Sequence, residues 1–320
     1  MKKVVVTGGA GFIGSHLAEE LVRRGYCVTI LDDLSTGKSV NMESLLSSPS
    51  PSLAEGEESP GDAEFVLGSI ADLDLLQRLF RDAYYVFHQA AIPSVPRSID
   101  APLDSHEVNA TGTLNVLLAA RDNGVKKVIY ASSSSVYGDT PHLPKREDMP
   151  PHPQSPYAVA KLSGEYYCTV FQQIYGLPTV CLRYFNVYGP RQDPDSAYAA
   201  VIPRFISMVA RAIPPPIFGD GEQTRDFTFV KDVVEANIMA AESSASGIFN
   251  IGAGKRITVN QLASLIINIT GKDTKPVHRD ARPGDIGHSL ADVTRARAFG
   301  YHPKYDIEEG LKETIRSFPV

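Results

Sequence analysis

A β-branched run, Val4-Val5-Val6-Thr7, passes directly into Gly8-Gly9-Ala10-Gly11-Phe12-Ile13-Gly14. Beyond it Ile13, Leu17 and Leu21 recur every four residues, with Glu19, Glu20, Arg23 and Arg24 on the other side, as in an amphipathic helix. Gly25 then stands where a helix C-terminal glycine belongs. The order strand, glycine turn, helix restricts the chain to a βαβ-built fold, and the spacing Gly8, Gly11, Gly14 narrows it further. The first glycine permits a tight turn and the second lets backbone approach a pyrophosphate. The third lets the helix pack on the strand with its N-terminal N–H groups facing the anion. The second β-branched run ends in Asp32-Asp33, 18 residues past Gly14, where an acid meets the hydroxyls of an adenosine ribose. A carboxylate there repels a 2′-phosphate, so NAD is expected rather than NADP.

The alternation continues. Strands are expected at 3–7, 27–31, 64–67, 84–88, 126–131 and 178–183, several of them apolar throughout, as strands covered on both faces should be. The fold class is α/β: a Rossmann-like, doubly wound parallel sheet with a smaller mixed C-terminal lobe. Residues 1–183 form the dinucleotide domain. Residues 184–320 form mainly a substrate lobe, with some chain returning to the first domain. Past Arg183 glycine and proline are denser, and short helices are expected at 201–211, 231–241, 259–267, 292–299 and 307–317. The Ser-, Pro- and Glu-rich stretch 47–62 has little to bury and reads as a surface loop. No apolar run is long enough to span a bilayer, and Met1-Lys2-Lys3 opens a strand rather than a signal peptide. Cys27, Cys168 and Cys181 have neither zinc nor disulfide spacing, so no metal is expected and a reducing cytoplasm fits. The net charge of −6 argues against nucleic acid as a partner.

Tyr157 and Lys161 lie four residues apart after Ser155-Pro156, which suits a helix start, so both side chains share one helix face. A neighbouring ammonium favours the phenolate, which would let Tyr157 act as a general base. Ser132-Ser133-Ser134-Ser135 emerges from the end of the fifth strand, the edge at which open α/β sheets bind ligands. Serines there are poor core material and good substrate contacts.

With these motifs the sequence resembles the extended short-chain dehydrogenase/reductases, specifically the nucleotide-sugar 4-epimerases. The resemblance runs from Thr7 to Tyr301. It includes His88-Gln89-Ala90-Ala91, Asn109, Arg183-Tyr184-Phe185-Asn186-Val187-Tyr188-Gly189-Pro190, Gly219-Asp220-Gly221, Thr224-Arg225-Asp226-Phe227 and Arg282-Pro283-Gly284-Asp285. It implies a catalytic set of Ser133, Tyr157 and Lys161. Ser133 would bond the sugar 4-hydroxyl, Tyr157 remove its proton, and Lys161 bind the nicotinamide ribose and lower the tyrosine pKa. For NAD it implies Gly8, Gly11, Phe12, Ile13 and Gly14, the acids Asp32 and Asp33, and the turn Ser35, Thr36 and Gly37. Ser69, Ile70, Gln89, Ala90, Ala91, Asn109 and Tyr184 complete that set together with Tyr157 and Lys161. For a UDP-sugar it implies Ser94, Asn186, Gln192, Ala200, Val201, Ile217 and Phe218. An anion clamp of Arg225 and Arg282, Asp285 on the uridine ribose, and Ser289 follow, with Ser133 and Tyr157 shared. A homodimer is implied through the helices around 103–121 and 157–175.

Two departures inform the chemistry. The family commonly has an Asp after the third-strand Gly, and here Gly68-Ser69-Ile70 supplies only a hydroxyl. Related dehydratases carry Asp-Glu directly after the active-site Ser or Thr, where this chain has Ser134-Ser135; decarboxylating relatives use a Glu nearby, also absent. Elimination and decarboxylation are therefore not expected. Inverting C4 requires breaking an unactivated C–H bond, so the expected route is hydride transfer to tightly held NAD, a 4-keto sugar that turns over, and hydride return to the other face. By resemblance, the residue seven places past the Arg of R-P-G-D borders the C2 substituent. Ser289 leaves room there for an N-acetyl group, with Gln192 as its polar contact. The reading is UDP-GlcNAc/UDP-GalNAc 4-epimerisation. The alternatives are UDP-glucose/UDP-galactose 4-epimerisation, another nucleotide-sugar oxidoreductase, and a non-catalytic NAD-binding regulator.

Overall fold

A computed structural model describes residues 1–47, 61–194, 200–281 and 287–318. Its centre is a seven-stranded, all-parallel sheet of β1 (Lys3–Thr7), β2 (Cys27–Asp32), β3 (Ala63–Leu67), β4 (Tyr85–His88), β5 (Lys127–Ser133), β6 (Thr179–Tyr184) and the strand Gly247–Ile251. The spatial order is Gly247–Ile251, β6, β5, β4, β1, β2, β3, so the winding reverses between β1 and β4. At that reversal the connections leave in opposite directions and a crevice opens at the strand C-termini.

Both sheet faces are covered. On one, α1 (Phe12–Arg23) packs against the helix Val230–Glu242, burying Leu17, Leu21, Val233 and Ile238 over Val4, Val6 and Ile30. On the other, the helices Gly112–Asp122 and Pro156–Tyr175 bury Val116, Leu117, Cys168 and Phe171 over Val5, Val86 and Val128. A third core in the C-terminal lobe joins the helices Val201–Ala210, Val259–Thr270 and Ile307–Ser317 through Ile202, Phe205, Leu262, Ile266 and Leu311. The latter two helices begin with capping boxes, Thr258 with Gln261 and Asp306 with Glu309.

The six expected strands all form, within two residues at each end. The seventh, Gly247–Ile251, was not anticipated: a Ser-rich turn precedes it and Asn250 interrupts its apolar run. Asn250 belongs there because its amide is fully used, taking the Tyr137 hydroxyl at 2.7 Å and donating to the Lys145 and Asp292 carbonyls. The helix expected at 292–299 shrinks to a single turn, Ala296–Phe299, because Asp292 Oδ1 accepts the Thr294 N–H and holds a local turn instead. The helical stretch expected at 103–121 is present, with a widened turn at Glu107–Thr111. Of the loop 47–62, residues 48–60 lie outside the described residues.

Candidate active site

A cavity of about 390 Å3 follows the C-terminal edge of the sheet across the reversal. Gly8, Gly11, Phe12, Ile13 and Gly14 line one side of it. Gly8 has φ +71, and a Cβ there would lie 2.6 Å from Ala90 Cα; a Cβ on Gly14 would lie 2.1 Å from the Gly8 carbonyl oxygen. Only glycine closes this turn. Gly11 caps α1 in an extended conformation without any side-chain cap, and no acid occupies the first turn, so the leading N–H groups are left for an anion.

At the end of β2, Asp32 Oδ2 accepts the Ala10 N–H at 3.0 Å and Oδ1 the Leu34 N–H at 2.8 Å. Burial raises the Asp32 pKa, and these two bonds oppose the rise. Asp33, Ser35, Thr36, Ser69 and Ile70 line the same end. Gly37 lies behind: a Cβ on it would be 2.7 Å from Asp32 Oδ1, so it packs on the carboxylate instead of lining the cavity. This end offers a glycine cradle, a free helix N-terminus and paired acids, which fits a dinucleotide with an unphosphorylated ribose.

Gln89, Ala90, Ala91 and Tyr184 line the middle. The Tyr184 hydroxyl lies 3.2 Å from Gln89 Oε1 and 2.8 Å from Asn237 Nδ2, and Gln89 Nε2 donates to Asn237 Oδ1 at 3.0 Å. Asn109, like Gly37, is an expected contact that lies off the cavity lining. Its amide is used on the Ile92 backbone, accepting N–H at 2.8 Å and donating to the carbonyl at 3.1 Å, and on Ser105 Oγ at 3.3 Å, so it fixes a cavity wall without facing the cavity.

The far end gathers Ser94, Ala131, Ser132, Tyr157 and Lys161. The helix Pro156–Tyr175 starts as its sequence suggests, with Pro156 in the first turn and Ser155 Oγ accepting the Ala158 N–H at 3.1 Å. Ser98 Oγ accepts the Tyr157 N–H at 3.1 Å and so ties the 94–98 segment to that turn. Lys161 Nζ donates to the Ala131 carbonyl at 2.7 Å and stands 6.0 Å from the Tyr157 ring centroid. Burial brings Lys161 down to about 7. Although Tyr157 presents part of its surface at the wall, burial raises its pKa, and a hydrogen bond with Ser133 pulls it back. In this arrangement the Ser133 hydroxyl opposes the effect of burial on Tyr157. Ser133 itself is half-buried at the end of β5, beside rather than within the lining.

A second cavity, about 310 Å3, sits in the C-terminal lobe and is lined by Asn186, Gln192, Ala200, Val201, Phe218 and Arg225, with Tyr188, Arg204, Phe205 and Phe227. Gln192 and Ala200 line both cavities, so one ligand could reach from the lobe to Tyr157. Gln192 Nε2 donates to the Val187 carbonyl at 3.2 Å, while its Oε1 is buried with no partner among the described residues. Asn186, at φ +30, donates to the Asp226 carbonyl. Arg225 Nη1 donates to the Thr224 carbonyl at 3.0 Å.

Two expected contacts lie behind this cavity. In the strand Pro216–Phe218 alternate side chains face opposite ways, so Pro216 and Phe218 line the cavity while Ile217 is buried in the lobe core. Ser289 is buried, its N–H bonded to the Thr224 carbonyl at 3.0 Å, and it lines neither cavity. Arg282 and Asp285 lie outside the described residues. Sequence reasoning missed Asn237, Ser98, Arg97, Lys38 and Arg191. The signal for Asn237 was an asparagine on the apolar face of Val230–Glu242; Ser98 and Arg97 lay in a stretch already singled out.

The sequence profile of the NAD dependent epimerase/dehydratase family matches residues 4–252, and the chain belongs to that family. A UDP-N-acetylglucosamine 4-epimerase from Methanobrevibacter ruminantium, solved with UDP-N-acetylmuramic acid, is 43% identical with a TM-score of 0.90, covering 99% of this chain and 97% of its own. A UDP-glucose 4-epimerase from Thermotoga maritima, solved with UDP-glucose, is 42% identical with a TM-score of 0.90, covering 98% of each chain. A UDP-N-acetyl-alpha-D-glucosaminuronate decarboxylase from Bacillus cytotoxicus is 39% identical over 99% of this chain and 98% of its own. Within the family this chain is an NAD-dependent UDP-sugar 4-epimerase.

Proposed function

We propose that the enzyme interconverts UDP-GlcNAc and UDP-GalNAc at C4, accepting UDP-glucose and UDP-galactose less readily. The observation that carries the N-acetyl reading is the wall shared by the two cavities. There the small Ala200 leaves space, and Gln192 offers an acceptor that no donor among the described residues meets, the complement of an acetamido N–H. The relative at 43% identity has the same preference in its name, and the one at 42% supports UDP-glucose as the second reading. Decarboxylation and elimination find no support in the lining. Its only described carboxylates are Asp32, Asp33 and Asp193, the first two at the opposite end from Tyr157 and the third paired with Lys38 at 3.0 Å.

Bound NAD would supply the acceptor for the C4 hydride and its source for return to the opposite face. The N-terminus of α1 holds the diphosphate, and Asp32 and Asp33 the adenosine ribose, while Lys161 reaches the other ribose. Tyr157, in its phenolate form, would receive the O4 proton with Ser133 orienting that hydroxyl, becoming the phenol, and would return the proton after the keto sugar has turned. Arg225 fixes the UDP by charge-assisted bonds while the sugar stays loosely held.

Exposed apolar side chains on the helices Pro102–His106 and Pro156–Tyr175, among them Leu103 (81% exposed) and Ile174 (69%), support a homodimer through that face. Three free cysteines accord with a cytoplasmic enzyme. No helix among the described residues is long and apolar enough to cross a membrane.

Proton NMR of the purified enzyme, without added cofactor, given UDP-GlcNAc and UDP-glucose separately, tests the proposal. Faster appearance of the GalNAc anomeric signal is expected. Conversion of UDP-glucose alone would overturn the N-acetyl reading, and silence in both tubes with NAD bound would overturn the choice of substrates.

A further inference from the structure

The end of β5 is bonded to the helix Pro156–Tyr175 at three consecutive residues, and a fourth, Ser133, stands beside Tyr157. The Tyr130 hydroxyl donates to the Lys161 carbonyl at 3.3 Å, and the Ala131 carbonyl accepts Lys161 Nζ at 2.7 Å. Ser132 Oγ donates to Glu165 Oε1 at 2.5 Å, and the Ser133 hydroxyl stands beside Tyr157, where it opposes the rise in the tyrosine's pKa. Tyr157, Lys161 and Glu165 are each one helical step of four apart, so the three side chains meet the end of β5 along a single face. Gly164 allows the approach: a Cβ there would lie 2.4 Å from the Tyr130 hydroxyl.

Glu165 takes no part in the chemistry above, yet it is fully buried, and it holds Arg183 of β6 in a two-pronged ion pair at 2.8 and 2.7 Å. Arg183 is the in-register neighbour of Ser132 across β5 and β6, and its guanidinium lies 4.6 Å from the Tyr137 ring centroid. Burial works against the charged guanidinium, but its bonds with Glu165 hold its pKa above the ordinary value. Apolar residues of similar volume usually serve stability as well as a buried ion pair does. What such residues cannot do is fix direction, as a carboxylate does when it joins two adjacent strands to one helix turn.

We infer that Glu165, oriented by Arg183 and joined to Ser132, is a positioning residue that sets the register of the helix against β5 and thereby places the Tyr157 hydroxyl against Ser133 and the sugar O4. The inference rests on Tyr157 being the proton acceptor. Ser132 follows as a helix anchor rather than a sugar contact, since its hydroxyl proton is committed to Glu165. A displacement of the order of 1 Å at a reacting group costs about a hundredfold in rate, so turnover reports the register more sensitively than stability does.

The experiment uses whichever UDP-sugar the wild-type enzyme epimerises, with Tyr157→Phe alongside. Failure of the wild type, or an active Tyr157→Phe, indicts the functional reading and not the positioning role. The key variant is the double change Glu165→Leu with Arg183→Met, which removes both charges and refills the volume. The expected result is a melting temperature and NAD content close to wild type, KM within about threefold, and kcat lower by ten- to a hundredfold. Recovery of kcat together with stability would show a merely structural pair and overturn the inference. Should the double variant not fold, Ser132→Ala decides. It cuts the strand-to-helix link and leaves the ion pair in place. A kcat at least fivefold lower, with NAD retained and KM little changed, supports positioning, and wild-type kcat refutes it.

Discussion

His88 ends β4 beneath the cofactor cavity, fully buried between two threonines. Thr113 Oγ1 donates its proton to the Asn109 carbonyl at 2.7 Å, so at 2.9 Å from His88 Nε2 it must act as acceptor. Nε2 therefore carries the ring proton, and Nδ1 accepts from Thr7 Oγ1 at 2.8 Å. Burial, reinforced by the nearby Lys161, lowers the His88 pKa from 6.5 to about 3. The sign follows from proton linkage: below 6.5 the unfolded chain binds a proton that the folded ring refuses, so stability falls as pH falls from 6.5 towards 3. Between pH 7 and pH 5 the loss from this group is about 1.9 kcal/mol, and it would be nearly the same for a folded pKa of about 4. With an unfolding entropy of about 2.1 cal/mol/K per residue over this chain, that corresponds to roughly 3 °C in melting temperature. Urea unfolding of wild type and His88→Asn at both pH values, at one fixed NAD concentration, cancels the other titrating groups. The stability difference between the two proteins should change by about 1.9 kcal/mol, the wild type losing more at pH 5. Parallel pH curves would refute both the tautomer and the reasoning from burial.

Tyr157→Phe should copurify with NAD yet turn over at least a thousandfold more slowly, measured by NMR of either epimer; near-normal turnover would remove Tyr157 from the proton path. Gly14→Ala would drive a methyl against the Gly8 carbonyl, so NAD content should collapse on chromatographic assay and the melting temperature fall. Arg225→Met should raise KM for the UDP-sugar by about ten- to a hundredfold, the worth of a charge-assisted bond to phosphate, with NAD content unchanged.

How much of this was legible in the sequence depended on whether one residue or several carried the signal. The glycine turn and the Asp32 end of β2 announce themselves because local backbone geometry demands those residues. The first six strands were visible for a similar reason: buried parallel strands must be apolar along their length. Gly247–Ile251 was hidden because its pairing with β6 bridges some sixty residues and its Asn250 mimics a loop residue. Ile217 and Asn109 show the opposite error. Each belongs to a recognisable stretch, but strand alternation turned Ile217 inward, and the Ile92 backbone claimed the Asn109 amide. The fate of a side chain within a motif is decided by packing partners distant in sequence. The Ser133 effect on Tyr157 likewise emerged only from three-dimensional proximity.

The pairing of Gly247–Ile251 with β6 also bears on how the enzyme is made. A ribosome delivers β1 to β6 first, and the sheet they form ends in a bare edge at β6. That edge stays open until residue 251 has been synthesised, and the helix Val230–Glu242, which roofs α1, arrives only shortly before. A nascent chain or truncation product ending near residue 183 would expose a buried-type strand edge together with the unroofed side of α1, the surfaces from which chains cross-pair and aggregate. The C-terminal lobe is for this reason not a detachable module. The chain enters it, leaves to finish the sheet, and returns, so exchanging lobes between relatives would require splicing at several crossings rather than one.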